Sequence, residues 1–142
     1  MTRAQQLPSA FAWPVRVYWE DTDAGGIVFY ANYLKFFERA RTEWLRSRGI
    51  EQHEMRTTTG GMFVVSEVNV RYLQSAHLDN ELIVTATPLE IGRASMTIAQ
   101  QVMINSSTEN TVLCEGTVRV GWVDGITYKP SRIPQTILDT LK

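Results

Sequence analysis

One stretch of the chain repeats its apolar residues with the spacing of an α-helix. The repeat falls at intervals of four, three and four residues, at Tyr33, Phe37, Ala40 and Trp44. Residues with this spacing share one face of a helix. Asn32 is a residue type favoured at a helix start, and Gly49 is favoured just after a helix end. We therefore predict a helix over residues 32–49 with one wide buried face.

Elsewhere the apolar positions alternate with polar ones, which is typical of β-strands. In the longest such run the alternation places one set of side chains on a single face, namely Met62, Val64, Val68, Val70 and Tyr72. Polar connections follow the later runs, including one over residues 105–111, as in hairpins. The predicted strands cover residues 15–20, 62–73, 82–89, 94–104 and 112–123.

The order of these segments is strand, long helix and then four strands, with a short C-terminal helix after Pro134. Strands that follow one another through short turns favour an α+β fold with a mostly antiparallel sheet. We expect about five strands packed around the long helix. Apolar residues occur on both faces of the predicted sheet, so we also expect self-association.

Composition and charge narrow the function classes. A chain of 142 residues fits one domain, residues 1–142, in which we expect residues 1–12 to be loose. The net charge of −1 shows no basic footprint for nucleic acid. One cysteine and two histidines predict neither a disulfide framework nor a clustered metal site. Neither a signal peptide nor a membrane span is evident, so we expect a cytoplasmic protein.

The candidate chemistry lies just before the helix. The run Asp21 to Gly26 contains two aspartates and two adjacent glycines, a composition typical of a turn. Helix starts expose N–H groups that favour developing negative charge. A carboxylate turn at this position therefore fits a reaction site, although its composition alone is more typical of a solvated turn.

Several motifs carry a resemblance to a known family. They are Asp21-Thr22-Asp23, Gly26-Ile27-Val28, Phe29-Tyr30, Asn32-Tyr33, Glu38-Arg39-Ala40-Arg41, the stretch RYLQSAHLDNELIV at residues 71–84, and Gly92-Arg93-Ala94-Ser95. With them the chain resembles the hotdog-fold acyl-CoA thioesterases of the 4-hydroxybenzoyl-CoA thioesterase type, and most of all the branch associated with the Tol-Pal system. The resemblance implies a hotdog fold, in which an antiparallel sheet wraps around the long helix. It also implies homodimers or homotetramers with active sites at subunit interfaces.

The resemblance implies roles for individual residues. Asp23 would act as nucleophile or as general base toward water, and the Tyr30 backbone N–H would hold the carbonyl oxygen. Substrate binding would involve Trp19, Gly26, Phe29, Phe63 and Val64, the last two across the interface. The substrate would be an acyl-CoA or an acyl-carrier-protein thioester, with no metal or organic cofactor. The chain departs from its branch at Tyr30, where a histidine often stands, and at Trp19, where a tyrosine often stands.

Other interpretations compete with this one. A non-catalytic hotdog protein that binds acyl-CoA or acyl-carrier protein would keep the pocket without an activated carboxylate. A hotdog dehydratase would need a histidine in the site, and neither His53 nor His77 lies in the motifs. Glu38 fits either a helix carboxylate of the site or an ordinary salt link to a neighbouring arginine. We expect Cys114 to be a buried thiol.

Overall fold

A computed structural model describes residues 10–106 and 111–142. Its strands are β1 (Phe11–Arg16), β2 (Gly61–Tyr72), β3 (Glu81–Ile91), β4 (Ser95–Ile104) and β5 (Val112–Asp124). Its helices are α1 (Asn32–Ser47), α2 (Gln52–Thr59) and α3 (Gln135–Leu141), with a 3₁₀ turn at Trp19–Asp21. The five strands form one antiparallel sheet in the order β1-β3-β4-β5-β2. The predicted α+β architecture is confirmed.

The long helix α1 supplies the centre of the core. Phe36, Phe37 and Ala40 are fully buried on its inner face, where they pack with apolar residues from the sheet. The predicted buried face is confirmed, and Phe36 widens it beyond the residues that we named. Leu34, at the edge of that face, remains partly exposed.

The two ends of α1 differ in how their backbone groups are satisfied. At the C-terminal end, Gly49 has a φ of 79°, and the N–H groups of Gly49 and Ile50 donate to the carbonyls of Arg46 and Leu45. These bonds form a Schellman motif, which requires a left-handed residue after the helix. At the N-terminal end Ala31 is the cap and makes no side-chain bond. The capping role that we predicted for Asn32 is wrong, because its side chain donates instead to the Asp21 carbonyl at 2.8 Å.

The first strand begins earlier than its alternating pattern predicts. β1 covers Phe11–Arg16, and Trp19–Asp21 forms a 3₁₀ turn instead of the end of a strand. Phe11 and Ala12 pair with Ala86 and Thr85 on β3, so these two residues are not loose. Pro14 does not interrupt this strand, although it lacks an N–H, because β1 is an edge strand, where proline is tolerated.

A β-bulge changes which residues of β2 face the helix. Val65 pairs with Val120 and Glu67 pairs with Arg119, so Ser66 is an extra residue between them. An extra residue reverses the alternation of side chains after it. The predicted single face of β2 is therefore wrong. Met62 and Val64 lie on the outer face, whereas the helix side carries Phe63, Val65, Val68, Val70 and Tyr72.

The helix α2 is an addition to the predicted elements, none of which lies between residues 49 and 62. It buries a single residue, Met55, so it has little apolar periodicity to detect. Local bonds define its ends. The Glu51 side chain accepts from the Glu54 N–H at 3.1 Å, and Gly60 closes the helix with a φ of 77°. The short helix after Pro134 is confirmed as α3.

The approach of β2 to β5 yields a stability prediction. A Cβ on Gly116 would collide with the backbone carbonyl oxygen of Asn69 on β2, whereas a Cβ on Gly121 of the same strand would lie 4.0 Å from its nearest neighbour. We expect Gly116→Ala to lower the free energy of unfolding by about 1–3 kcal/mol, the range of overpacked sites.

Gly121→Ala is the matched control. It should leave stability unchanged or raise it by up to about 1 kcal/mol, because alanine loses less backbone entropy than glycine on folding. Urea unfolding followed by circular dichroism measures both variants. Equal midpoints for the two would contradict the close approach at Gly116.

Candidate active site at the start of the long helix

Asp21 anchors the turn that precedes α1. Its carboxylate is buried and accepts a hydrogen bond from the Tyr18 N–H at 2.8 Å. Its backbone carbonyl accepts from the Phe29 N–H at 3.0 Å and from the Asn32 side chain. Asp21 therefore shapes the turn. Asp21 does not pair with Arg16, whose guanidinium lies 3.5 Å from the Glu81 carboxylate instead.

A second segment holds the turn in place from the other side. The Val28 N–H donates to the Ala76 carbonyl, and the Leu78 N–H donates to the Gly26 carbonyl. The phenol oxygen of Tyr33, inside α1, accepts from the Ala76 N–H at 3.0 Å. Residues 26–28 are thus fixed between the helix and the connection that follows β2.

Asp23 lies at the exposed tip of this turn. Two hydrogen bonds close the turn. The Asp23 N–H donates to the Ile27 carbonyl at 2.9 Å, and the Gly26 N–H donates to the Asp23 carbonyl at 3.1 Å. One carboxylate oxygen, Oδ1, accepts from the Gly25 N–H at 2.8 Å. Among the hydrogen bonds of residues 10–106 and 111–142, none involves the Asp23 Oδ2 atom. The backbone thus orients Asp23 and leaves one oxygen available.

Gly26 allows the chain to turn back toward the helix. Its φ is 81°, in the left-handed region that disfavours side chains. At Gly25 a Cβ would approach Asp23 Oδ1 to 3.3 Å, so a larger residue would crowd the bond that orients the carboxylate. Both glycines of the motif therefore serve the position of Asp23.

The start of α1 presents unused N–H groups to the same region. Within the described parts of the chain, no acceptor is bonded to the N–H of Tyr30 or of Ala31. Helix starts carry a partial positive charge. An oxygen that gains negative charge would therefore be stabilised at this position.

A cavity of about 360 Å³ connects these groups. Its lining comprises Asp23, Ile27, Val28, Phe29, Tyr30, Tyr33, Tyr72, Leu73, Gln74 and Ser75. The rings of Tyr30 and Tyr33 lie 6.0 Å and 5.6 Å from the Tyr72 ring. Burial raises the pKa of Tyr72 and of Tyr33 above the usual value, so both phenols stay neutral near pH 7.

The sequence reasoning missed Tyr72 and the Gln74-Ser75 pair as parts of this cavity. Tyr72 was assigned to a strand face and nothing more. A signal was available, because the family resemblance included the stretch from Arg71 onward, but only the folded chain brings that stretch against the turn at Asp23.

The structure brings together some of the predicted site residues and separates others. Asp23, Phe29 and Tyr30 line the one cavity, and Gly26 shapes the turn beside it. Trp19 is 74% exposed and does not line that cavity. Phe63 contacts the Trp122 ring, with centroids 4.9 Å apart. Val64, the next residue of the strand, faces the outer side of the sheet.

The remaining candidates have other environments. Cys114 is fully buried, and burial raises its pKa to about 12, so the thiolate is not available near pH 7. The expected buried thiol is confirmed. Among residues 10–106 and 111–142 no group of three or more His, Cys, Asp or Glu side chains could hold a metal ion. No helix in those ranges is long and apolar enough to span a membrane.

A five-stranded antiparallel sheet around one long helix, with a carboxylate turn at the helix start, defines a hotdog-type protein. The sequence profile of the thioesterase superfamily matches residues 25–111 of the chain. The chain therefore belongs to the thioesterase superfamily.

Individual relatives agree with that assignment. The chain is 39% identical over 132 residues to an acyl-CoA thioester hydrolase YbgC of Escherichia coli O6:H1, covering 93% of this chain and 96% of the relative. It is 40% identical over 131 residues to an acyl-CoA thioesterase YbgC of Haemophilus influenzae, covering 92% and 93% of the two chains.

Solved structures show the same fold. A probable thioesterase from Bartonella henselae superposes with a TM-score of 0.80 at 27% identity, covering 89% of this chain and 100% of the other. A 4-hydroxybenzoyl CoA thioesterase variant complexed with 4-hydroxybenzoyl CoA gives a TM-score of 0.86 at 16% identity, covering 94% and 99%. The hotdog fold implied by the sequence is confirmed.

Proposed function

We propose that this chain hydrolyses acyl-CoA thioesters to a free acid and coenzyme A. One observation carries the proposal: an oriented carboxylate, Asp23, lines the same cavity as Tyr30, whose N–H has no partner among the described residues. Thioester hydrolysis needs both an activating group and a donor for the carbonyl oxygen. The YbgC relatives, which carry this activity in their names, support the same reaction.

The thioester carbonyl oxygen accepts a hydrogen bond from the Tyr30 N–H. Negative charge that develops on this oxygen is stabilised by that bond and by the helix dipole. The carbonyl carbon gains a bond to oxygen and loses its bond to sulfur. The thiolate of coenzyme A leaves and takes up a proton, and water supplies the hydroxyl group of the acid.

Asp23 has two roles open to it. As a general base it takes a proton from the attacking water. As a nucleophile its Oδ2 attacks the carbonyl carbon and forms an anhydride, which water then hydrolyses. Both roles use the oxygen that the Gly25 N–H leaves unbonded. Because Tyr30 replaces a histidine of related sequences, no imidazole in the motifs assists either step.

The other predicted residues have supporting roles. Gly26 supplies the turn, and Phe29 forms an apolar wall of the cavity. Trp19, exposed near the turn, would contact the substrate outside that cavity. Phe63 and Val64 lie away from the cavity of their own chain, so we assign them to the acyl pocket of a paired copy.

An acyl-carrier protein would present the same type of thioester and is a second carrier to test. We place the reaction in the cytoplasm.

The paired copy is itself a prediction. The twelve-residue strand β2 lies at an edge of the sheet and exposes Val65 and Val68. Long apolar edge strands are usually covered by another chain. We expect a homodimer through β2, or a homotetramer built from such dimers. Light scattering coupled to gel filtration measures the mass, and a monomer at micromolar concentration would contradict the pairing.

The role of Asp23 is tested with Asp23→Asn. We expect kcat to fall by at least ~10²-fold, the usual scale for a lost acid–base group. Asp21→Asn is the comparison, since an amide oxygen can still accept from the Tyr18 N–H and the loss should be smaller. Thiol release from short-chain, long-chain and aromatic acyl-CoAs, and from acyl-carrier-protein thioesters, is the measurement.

Two results would reject the assignment. Unchanged turnover in Asp23→Asn would remove Asp23 from the chemistry. Tight binding of every thioester without hydrolysis by the natural chain would favour the non-catalytic binding protein instead.

The role of the Tyr30 amide is tested with Tyr30→Pro, which removes the N–H. We expect kcat to fall by about 10²–10³-fold, as for a lost oxyanion donor. Tyr30→Phe keeps the N–H and the ring and should stay close to the natural activity. Circular dichroism verifies that both variants fold. Equal losses in the two variants would place the effect in the side chain and not in the amide.

A further inference from the structure

One side chain connects the two halves of the candidate site. The Tyr30 N–H lies at the start of α1, and Asp23 lies on the turn that precedes it. Tyr33 belongs to the helix, and its backbone N–H donates to the Tyr30 carbonyl at 3.4 Å. Its phenol oxygen reaches the segment after β2, where it accepts from the Ala76 N–H at 3.0 Å. Tyr33 therefore joins the helix start to the segment that holds the turn.

Two further hydrogen bonds lead from Ala76 to Asp23. The Ala76 carbonyl accepts from the Val28 N–H at 2.9 Å, and the carbonyl of the preceding residue, Ile27, accepts from the Asp23 N–H at 2.9 Å. Three short segments thus form a ladder, because residues 22 and 28 are bridged and residues 27 and 77 are bridged. We call this arrangement the Ala76 ladder. A displacement of residue 76 is passed through it to the backbone of Asp23.

The Tyr33 phenol is held in one place by its neighbours. The residue is 3% exposed, and its ring contacts the rings of Phe36 and Tyr72, with centroids 6.0 Å and 5.6 Å apart. Ala76 is fully buried, and among the described residues the Tyr33 oxygen is the one acceptor that its N–H has. A buried N–H is costly to leave unpaired. The bond therefore fixes residue 76 relative to the helix.

We propose that Tyr33 is a positioning residue that sets the separation between the Asp23 carboxylate and the Tyr30 N–H. This inference rests on the proposed function, in which both groups must meet one thioester carbonyl. An error of about 1 Å in such a geometry can cost about 10²-fold in rate. Tyr33 acts here through its oxygen as an acceptor. It takes no part in proton transfer near pH 7, because burial raises the pKa of Tyr33 above its usual value.

A competing role for the same hydroxyl is direct contact with the substrate. Tyr33 lines the Asp23 cavity, and within the described parts of the chain no acceptor is bonded to its O–H group. The two roles differ in their kinetics. Loss of a contact that binds substrate and transition state equally raises KM, whereas misplacement of Asp23 lowers kcat.

Tyr33→Phe removes the phenol oxygen and keeps the ring. We expect kcat to fall about tenfold and KM to stay within about twofold of the natural value, because the loss falls on the reaction step. Thiol release from the acyl-CoA that the natural chain hydrolyses fastest is the measurement, and circular dichroism verifies the fold. If Tyr33→Phe does not fold, 3-fluorotyrosine at position 33 keeps the ring and the hydroxyl but makes the oxygen a weaker acceptor.

Thr85→Val is the matched control. The Thr85 hydroxyl is also buried and also accepts from a backbone N–H, that of Gln101, at 3.0 Å. Thr85 lies on β3 and does not line the Asp23 cavity. The control therefore removes the same kind of bond from the core. It should be destabilised to a similar degree as Tyr33→Phe and keep the natural kcat.

A double-mutant cycle with Asp23→Asn tests whether Tyr33 acts through Asp23. In the Asp23→Asn background, Tyr33→Phe should change the residual kcat by less than about twofold, since no carboxylate is left to misplace. A role that is independent of Asp23 would reduce activity by the same factor in both backgrounds.

Amide hydrogen exchange, followed by NMR, tests the Ala76 ladder without a substrate. In Tyr33→Phe the N–H groups of Val28 and Leu78, which donate to Ala76 and to Gly26, should exchange about tenfold faster than in the natural chain. In Thr85→Val their exchange should be unchanged.

The proposal is supported if Tyr33→Phe lowers kcat, loses this effect in the Asp23→Asn background and accelerates exchange in the ladder. It is overturned if Tyr33→Phe and Thr85→Val have equal kcat, if KM rises while kcat is kept, or if exchange at Val28 is unchanged. Absence of hydrolysis by the natural chain would reject the proposed function. The exchange experiment would still decide whether Tyr33 holds the turn in place.

Discussion

The candidate site depends on the hydrogen bonds that Asp21 accepts. Its carboxylate accepts from the Tyr18 N–H, just before the 3₁₀ turn, and its carbonyl accepts from Phe29 and from Asn32 at the helix start. These bonds close the loop from Asp21 to Phe29, and Asp23 lies inside it. A buried acceptor of this kind is costly to leave unpaired. The loop therefore keeps one shape, and that shape fixes the position of the Asp23 carboxylate.

Much of the fold could be predicted because its elements have strong periodic patterns. Helix α1 has a wide apolar face and a glycine at its end, and polar connections separate the runs that form the last three strands. The parts of the fold that were predicted wrongly or missed also have physical causes. Ser66 adds one residue to β2 and reverses its faces, which no period-two pattern can show. Helix α2 depends on end bonds and one buried residue. The loop expected over residues 105–111 includes residues 107–110, which lie outside the described residues.

The candidate site was predictable in its local part only. Asp23, Gly26, Phe29 and Tyr30 are close in the sequence, so one motif contains them all. Tyr72 and Ser75 reach the same cavity through the sheet, about forty residues later, and a motif carries no information on that approach. The aromatic lining also gives the site a particular character. Burial raises the pKa of Tyr33 and Tyr72, so these two phenols donate hydrogen bonds but transfer protons poorly near pH 7.

The bulge in β2 determines which parts of the strand face the helix. Val65 and Tyr72 both face the helix. Val65 lies at a cavity that Phe63 and Ile98 also line, and Tyr72 lies at the Asp23 cavity. At ~3.3 Å per residue they lie roughly 20 Å apart along the strand, too far for one short acyl group to touch both within a chain. In the homodimer that we propose through β2, a two-fold axis would place the first half of one β2 strand beside the last half of the other. Val65 of one molecule would then lie nearer to Tyr72 of the other molecule than to its own Tyr72.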